Sequence, residues 1–225
     1  MNAIEFHDAM AIQFDRRYES SVAFGERVRV WTTLFDRYIR PADRVMDLGC
    51  GSGVFCRYLA AKGCRVTGID GSVAMIRLCD QKKTADEVCF VVQSLPLPDS
   101  VAYAGQDVII ASSLLEYVDD LALVLQQTQA MLNTNGLLIV SMPNRISLYR
   151  RVERMFFAIT GYPRYFAHLR HVSTEADFNR QLATLGFEVI ETVFFSSYDP
   201  LSRWLKWILP PPYVNNLFVS VYRKR

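Results

Sequence analysis

Three glycines follow a short apolar run in the segment VMDLGCGSGVF, which covers residues 45–55. Gly49, Gly51 and Gly53 lack a Cβ, so the backbone can turn sharply there and a ligand can lie against the main chain. Their spacing is Gly-x-Gly-x-Gly, whereas the dinucleotide-binding fingerprint would place its third glycine at Val54. This spacing disfavours a cofactor that binds through a pyrophosphate.

A carboxylate follows at a distance that suits a nucleoside ligand. Asp70 ends a second apolar run, CRVTGID, about 20 residues after the turn, where an acidic side chain can accept hydrogen bonds from both hydroxyls of a ribose. Together, the glycine turn and the acid predict a nucleoside site.

The elements that must position these residues alternate between strands and helices. Short apolar runs predict strands at RVMDL, CRVTGID, VCFVV, DVIIAS, GLLIVSMP and NLFVSVYRK. Helical periodicity occurs at 20–40, 54–63, 72–82, 119–132 and 173–186. In the last of these, Ser173 is placed to cap the helix and Gly186 to end it. This alternation predicts an α/β fold with a parallel sheet and helices on both faces.

Length, charge and cysteine content narrow the class of protein. A chain of 225 residues with 51% hydrophobic residues can bury one core, which predicts a single domain over 1–225. The 25 basic and 23 acidic residues give a net charge of +2, without the broad positive field of a nucleic-acid binder. The five cysteines form no metal-binding pattern, so we expect no metal site and a reduced, cytoplasmic setting. No apolar run approaches the ~20 residues of a spanning helix, so we expect a soluble protein.

Four motifs occur in order along the chain: Asp-Leu-Gly-Cys-Gly-Ser-Gly, Gly-Ile-Asp-Gly-Ser, Leu-Pro-Leu-Pro-Asp and Leu-Leu-Glu-Tyr-Val. Together they resemble the class I S-adenosylmethionine-dependent methyltransferases. Within that superfamily the chain is similar to small-molecule enzymes typified by the ubiquinone-pathway O-methyltransferases, over residues 20–145 and again over 174–188. The resemblance implies a Rossmann-like, seven-stranded, mostly parallel sheet whose final strand is antiparallel. It also implies S-adenosylmethionine as cofactor, S-adenosylhomocysteine as product and a small-molecule acceptor.

The resemblance further implies a set of cofactor-binding residues on the glycine loop and after the next three strands. They are Asp47, Gly49, Cys50, Gly51, Gly53, Asp70, Gly71, Gln93, Ser94, Leu95 and Ser112. In similar enzymes the glycine loop contacts the methionine and ribose part of the cofactor, and Ser112 is expected near the amino acid moiety. Many relatives carry an acid near Gln93, whose amide oxygen can still accept a hydrogen bond from the adenine amino group.

An N-terminal helical cap, here residues 1–40, folds over the cofactor in similar enzymes. Tyr18 and Arg29 lie in this region, and we expect Arg29 to pair with the cofactor carboxylate through a charge-assisted bond. The alternative is that both are surface side chains of an amphipathic helix.

Methyl transfer to a hydroxyl or thiol needs a group that removes a proton. His168 and His171 precede the last predicted helix, on the side where the carboxyl ends of the strands form the ligand crevice of such folds. Either can be the general base, and His171 is preferred because it borders the helix start. The alternative for each is a loop histidine bonded to the backbone.

Glu116 and Tyr117 stand where many relatives have Glu-His. The tyrosine removes the histidine, which disfavours a metal requirement and a ubiquinone-type mechanism through that pair. Glu116 has a second interpretation, as a charge at a helix start that interacts with the helix dipole.

Residues 145–172 interrupt the alternation and are expected to form an inserted helical lid over the acceptor. Its apolar residues have helical spacing and its arginines lie on other faces: Tyr149, Val152, Phe156 and Ile159, with Arg150, Arg151 and Arg154. The apolar face favours a greasy or aromatic acceptor. The arginines favour an acidic neighbour, which is a carboxylate, an acidic carrier protein or an anionic membrane surface. The alternative is a helix packed on the core with a solvated basic face.

A second apolar segment, WLKWIL at 204–209, precedes three prolines. Three interpretations are open: it lines the same pocket, mediates a dimer contact or rests at a membrane interface. The chain is accordingly expected to be a monomer or homodimer, cytoplasmic or peripheral to a membrane.

The sequence thus predicts a small-molecule methyltransferase that acts on oxygen, with a carrier-bound acyl or lipid substrate as the alternative acceptor. A non-catalytic interaction protein with this fold would explain the missing histidine, but the intact glycines and Asp70 argue against it. An RNA or protein methyltransferase is disfavoured because the sequence has no broad basic surface and no Asn-Pro-Pro-Tyr motif of the kind typical of amino-directed enzymes.

Overall fold

The computed structural model describes residues 5, 8, 11, 21–83, 88–162, 164–197 and 200–225. Tyr18 lies outside these residues, as does much of the first half of the predicted 1–40 cap. Within the described ranges the strands are β1 Arg44–Leu48, β2 Arg65–Asp70, β3 Val88–Val92, β4 Gln106–Ala111, β5 Leu132–Pro143, β6 Phe187–Phe195 and β7 Leu217–Lys224.

The strands form one sheet in the order β3-β2-β1-β4-β5-β7-β6. Strands β1 to β5 pair in parallel, and the final strand β7 runs antiparallel to both β5 and β6. The predicted fold is therefore confirmed. Because β1 lies between β2 and β4, the chain leaves β1 in one direction and returns at β4 from the other, which opens a crevice at their carboxyl ends.

The helices of the described chain flank this sheet. They are α1 Val22–Tyr38, α2 Val54–Ala61, α3 Val73–Gln81, α4 Leu121–Met131, α5 Leu148–Thr160, α6 Glu175–Thr184, α7 Pro200–Leu205 and α8 Pro211–Val214. The prediction that Ser173 caps α6 is wrong: the Thr174 side chain accepts the hydrogen bond from the Asp177 amide at 3.1 Å. Ser173 instead forms a bridge with Asn144 at the end of β5.

Alternate residues of each central strand supply two separate cores. On β4, Ile110 packs in the core that contains Trp31 and Phe35 of α1. The neighbouring Ile109 packs in the opposite core, with Phe178 of α6. Side chains of a strand alternate between faces, so this division places helices on both sides of the sheet, as predicted.

None of the helices in the described ranges combines the length and the apolar character that a membrane-crossing segment needs.

Asn144 joins the end of β5 to the segment that enters β7. Its side-chain amide donates to the carbonyls of Pro212 at 2.6 Å and Asn215 at 2.9 Å, and its oxygen accepts from the Ile146 amide at 3.2 Å. The side chain is fully buried. Since β5 leads directly into α5, this asparagine determines where α5 leaves the sheet.

We expect Asn144→Ala to lower the free energy of unfolding by about 2–4 kcal/mol, because buried carbonyls lose their donor without gaining water. Urea denaturation checks this. Asn133→Ala is the matched control, since Asn133 donates to Asp107 at 2.8 Å on the exposed surface; it should cost less than about 1 kcal/mol. Equal losses in the two variants would contradict a joining role for Asn144.

Candidate active site

A cleft lies at the carboxyl ends of β1 to β4. Its lining combines the loops after these strands with contributions from α1, α2, α3 and the loop before α6: Arg27, Asp47, Gly49, Cys50, Gly51, Phe55, Ile69, Asp70, Gly71, Met75, Gln93, Ser94, Leu95, Ser112, Ser113, Leu114, Tyr117, Val118, Asp119 and Arg170. Ten of the residues predicted to bind a cofactor are in this lining: Asp47, Gly49, Cys50, Gly51, Asp70, Gly71, Gln93, Ser94, Leu95 and Ser112.

The glycine turn has left-handed backbone at Gly49, Gly51 and Gly53, with φ of +67°, +53° and +73°. A Cβ on Gly51 would meet no protein atom within 4 Å, and Gly51 lines the cleft, so its missing side chain leaves room for a ligand. Gly53 differs, because a Cβ there would lie 3.0 Å from Cys79 Sγ and 3.1 Å from Phe90. Gly53 thus permits close packing behind the turn, and it does not line the cleft.

Asp70 holds the turn against the end of β2. Its two carboxylate oxygens accept hydrogen bonds from the Gly51 amide at 2.9 Å and the Ser72 amide at 2.8 Å. Burial raises the pKa of Asp70, while both backbone donors lower it. The carboxylate is fixed in direction, and its remaining lone pairs are available to the cleft.

Asp47 is the second carboxyl group of the cleft and is almost fully buried. Burial raises its pKa to about 7. The thiol of Cys56 donates to it at 3.3 Å and partly offsets this effect. Because desolvation dominates, Asp47 readily carries a proton and can act as donor or acceptor toward a ligand.

The cap contributes Arg27 to the cleft rather than Arg29. Arg27 is half-buried and lines the cleft, whereas Arg29 is exposed and does not. Two residues along a helix differ in direction by about 200°, so the two arginines point to opposite faces of α1. Periodicity located the helix, but the face that meets the cleft was set by how α1 packs through Trp31 and Phe35.

Glu116 is not at a helix start, which corrects that interpretation: α4 begins at Leu121 and is capped by Asp120. Glu116 is instead 3% exposed, and its Oε2 has no hydrogen-bond partner in the described part of the chain. Burial raises its pKa to about 7, against the opposing effect of the positive charges of Arg27 and Arg150. The buried acid is therefore influenced by one positive charge of α1 and one of α5, and it directly precedes the cleft-lining Tyr117 in the chain.

Neither predicted histidine lines the cleft. His171 lines a second cavity next to it, and its Nε2 is 2.9 Å from the Val118 carbonyl. His168 lines neither of these two cavities. The two cavities share Asp119 and Arg170, whose side chains form an ion pair at 2.7 Å.

Several lining residues were not predicted. Ser113 and Leu114 directly follow Ser112, so the predicted end of strand β4 could have indicated that they also line the cleft. Arg170, Asp119 and Val118 come from loops whose approach to the cleft depends on the packing of the loop before α6.

The cleft fits a nucleoside cofactor on three independent features. Asp70 presents an oriented carboxylate, Gly51 leaves open space, and the buried Ser112 hydroxyl has no partner among the described residues. Buried polar atoms are rarely left without a partner in native proteins, so Ser112 indicates a polar ligand at this position.

A family model described as a methyltransferase domain matches residues 18–192, most of the chain.

The chain belongs to the S-adenosylmethionine-dependent methyltransferases. Two similar curated proteins are both named ubiquinone biosynthesis O-methyltransferase. The Azorhizobium caulinodans protein is 30% identical over 73% of this chain and 67% of its own length. The Bradyrhizobium diazoefficiens protein is 32% identical over 49% of this chain and 46% of its own length. This methyltransferase thus spans two thirds of one relative and under half of the other.

A solved structure shows the same fold. The magnesium protoporphyrin IX methyltransferase of Synechocystis PCC 6803, solved with bound SAH, superposes with a TM-score of 0.75 at 17% identity, over 99% of this chain and 98% of that one. The cofactor of this methyltransferase family, S-adenosylmethionine, is the predicted one.

We expect Gly51→Ala to weaken binding of S-adenosylhomocysteine at least about tenfold, because the methyl group enters the cleft. Gly186→Ala is the matched control: Gly186 has φ +79°, equally open surroundings and no place in the cleft. Both variants should lose about 1–2 kcal/mol of stability from left-handed backbone. Calorimetric titration separates the two effects, and equal affinities in the two variants would exclude contact at Gly51.

Glu116 should make the protein less stable as the pH rises. In the unfolded chain its carboxyl ionises near the ordinary pKa of 4.5, but the folded protein keeps the proton up to about 7. The folded state binds more protons in this window, so the free energy of unfolding falls between these two pH values by about 3 kcal/mol. Glu116→Gln should remove this part of the slope in urea denaturation series. Exposed Glu188→Gln should not, and an unchanged slope in Glu116→Gln would refute the burial effect.

Proposed function

We propose that this methyltransferase transfers a methyl group to a hydroxyl oxygen of a small aromatic or apolar acceptor. The observation that carries the proposal is the mixed lining of the cleft. Polar groups come from the ends of β2, β3 and β4, at Asp70, Gln93 and Ser112, and we call Leu114, Tyr117 and Val118, which line the cleft in the loop after β4, its apolar wall. A site of this kind binds a nucleoside at one end and excludes water at the other.

Residues of the cleft lining hold each part of the cofactor. Asp70 binds the ribose hydroxyls, Gln93 and Leu95 contact the adenine, and Gly49 with Gly51 lies against the methionine part. Arg27 takes the role expected of Arg29 and pairs with the cofactor carboxylate. When bound, the cofactor supplies the activated methyl group on its sulfonium. The protein has to align the acceptor oxygen with it and exclude water.

His171 remains the candidate that accepts the acceptor proton. Its Nε2 is within hydrogen-bond distance of the Val118 carbonyl, and a carbonyl only accepts, so this bond places the proton on Nε2 and leaves Nδ1 as the basic nitrogen. Val118 lines the cleft, which puts the imidazole one residue behind its apolar wall. His168, outside both cavity linings, has weaker support.

Oxygen as the methylated atom is supported by the names of the relatives, which are O-methyltransferases. A carrier-bound acyl or lipid substrate is the alternative acceptor. This alternative predicts that a long-chain substrate binds against the same apolar wall and is methylated.

Calorimetric titration with S-adenosylmethionine and S-adenosylhomocysteine tests the cofactor part. We expect Asp70→Ala to weaken both at least about tenfold, since two bonds to the ribose are lost. Asp99→Ala is the matched control, because Asp99 also accepts backbone amide bonds, from Val101 and Ala102, but on the surface. Absence of binding by the folded wild type would reject the proposed function.

Assays of methyl transfer to catechols, simple phenols and long-chain acyl hydroxy compounds then identify the class of acceptor. Among variants that bind the cofactor normally, His171→Asn should lower kcat, whereas His168→Asn should not. An unchanged kcat in His171→Asn would eliminate it as the base.

A further inference from the structure

Helix α5 turns its apolar face outward. Val152, Met155, Phe156 and Ile159 recur at helical spacing and all are exposed, Ile159 to 82%. No residue of α5 is buried. This excludes the alternative that the helix packs its apolar face on the core. A surface helix normally faces its apolar stripe inward, so an outward stripe indicates a missing apolar partner.

A second exposed apolar segment lies beside it. Trp204, Trp207 and Ile208, in and after α7, are exposed, Trp207 to 83%. Helix α5 packs against both α7 and α8, so the two segments are neighbours although about 50 residues separate them along the chain. We call the seven residues of these two segments the outer apolar surface: Val152, Met155, Phe156, Ile159, Trp204, Trp207 and Ile208.

Basic residues surround this surface. The segments 148–160 and 200–214 contain five basic residues and one acidic residue, although the whole chain has a net charge of only +2. Arg151, Arg154, Arg203 and Lys206 are exposed, and the Lys206 ammonium lies 5.5 Å from the centre of the Trp207 ring. The single acid, Glu153, accepts from the Tyr165 hydroxyl at 3.3 Å. The surface thus combines large apolar side chains with an excess of positive charge.

We propose that the outer apolar surface binds the face of an anionic lipid bilayer, with α5 and segment 203–209 lying in the headgroup region. Tryptophan, lysine and arginine are the side chains that favour this interface, and positive charge is attracted to acidic lipids. The 13 residues of α5 extend for about 20 Å, enough to lie along a bilayer but not to cross it. An acidic protein fits less well, because the apolar side chains project outward and none lines either cavity described above.

A further residue of α5, Arg150, links this helix to parts of the protein outside the outer apolar surface. Arg150 donates to the Asn216 carbonyl at 3.3 Å and its charge acts on Glu116, the neighbour of cleft-lining Tyr117. An enzyme held at a bilayer can collect acceptors that are dissolved in the membrane. This last step rests on the proposed function, whereas bilayer binding itself does not.

Sedimentation of the full chain with lipid vesicles tests the proposal. The probes are vesicles of phosphatidylcholine alone and of phosphatidylcholine mixed equally with phosphatidylglycerol. We expect wild type to bind the mixed vesicles, with a partition coefficient that falls as salt rises. The pair Ile159→Ser with Trp207→Ser, and the pair Arg151→Glu with Arg154→Glu, should each lower it at least about tenfold. Matched controls are Val101→Ser, at an exposed apolar side chain outside this surface, and Arg65→Glu, at an exposed arginine outside it; neither should change the partition coefficient.

Other results would overturn the proposal. If wild type stays in solution with both vesicle types, a bilayer is excluded as the partner. If the four substitutions leave the partition coefficient unchanged, this surface is excluded as the binding site. If vesicle binding is absent, light scattering shows whether Trp207→Ser turns a dimer into a monomer, which would assign the surface to a second copy. Loss in the same variants of binding to a purified acidic carrier protein would assign it to that partner. Calorimetry with S-adenosylhomocysteine on each variant reports separately on the cofactor cleft, so the two proposals fail independently.

Discussion

The cleft is organised by the carboxylate of Asp70, which accepts hydrogen bonds from two backbone amides. The bond to Gly51 ties the turn after β1 to the end of β2, and the bond to Ser72 begins the next helix on the same carboxylate. The turn can take this path only because its glycines adopt left-handed backbone. Burying the acid is unfavourable, and the two amide donors offset that cost. The carboxylate that we propose binds the ribose is therefore also the group that shapes the loop around the cleft.

Another buried acid, Glu116, lies outside the cleft lining but next in sequence to the cleft-lining Tyr117. Glu116 is under the positive charges of Arg27 on α1 and Arg150 on α5, yet desolvation outweighs both and raises its pKa. Positive charges from the cap and from the inserted helix thus act on one incompletely satisfied carboxyl group in the loop after β4. Such groups are costly in a structure that has only to be stable, and they are concentrated where ligands bind.

The inserted helix has two different environments on its two sides. Arg150 makes polar contacts to Asn216 and Tyr165, whereas the apolar stripe of the same helix is exposed in the described chain. A lid that closed with its apolar face on the acceptor would have the reverse orientation. The apolar wall of the cleft comes from the loop after β4, and no residue of α5 is in the cleft lining.

Local rules determined much of this protein from sequence alone. The strand limits of β1 and β3, the alternation of strands and helices, the glycine turn and Asp70 all follow from short-range patterns, because turns and strand ends depend on neighbouring residues. Tertiary packing decided which side chains of each element face the cleft, the core or the solvent, which helical periodicity alone does not determine. It put Arg27 rather than Arg29 at the cleft, set His171 behind the wall, buried Glu116 and turned α5 outward. A helical pattern defines an apolar face but not what that face meets, since the partner comes from distant parts of the chain.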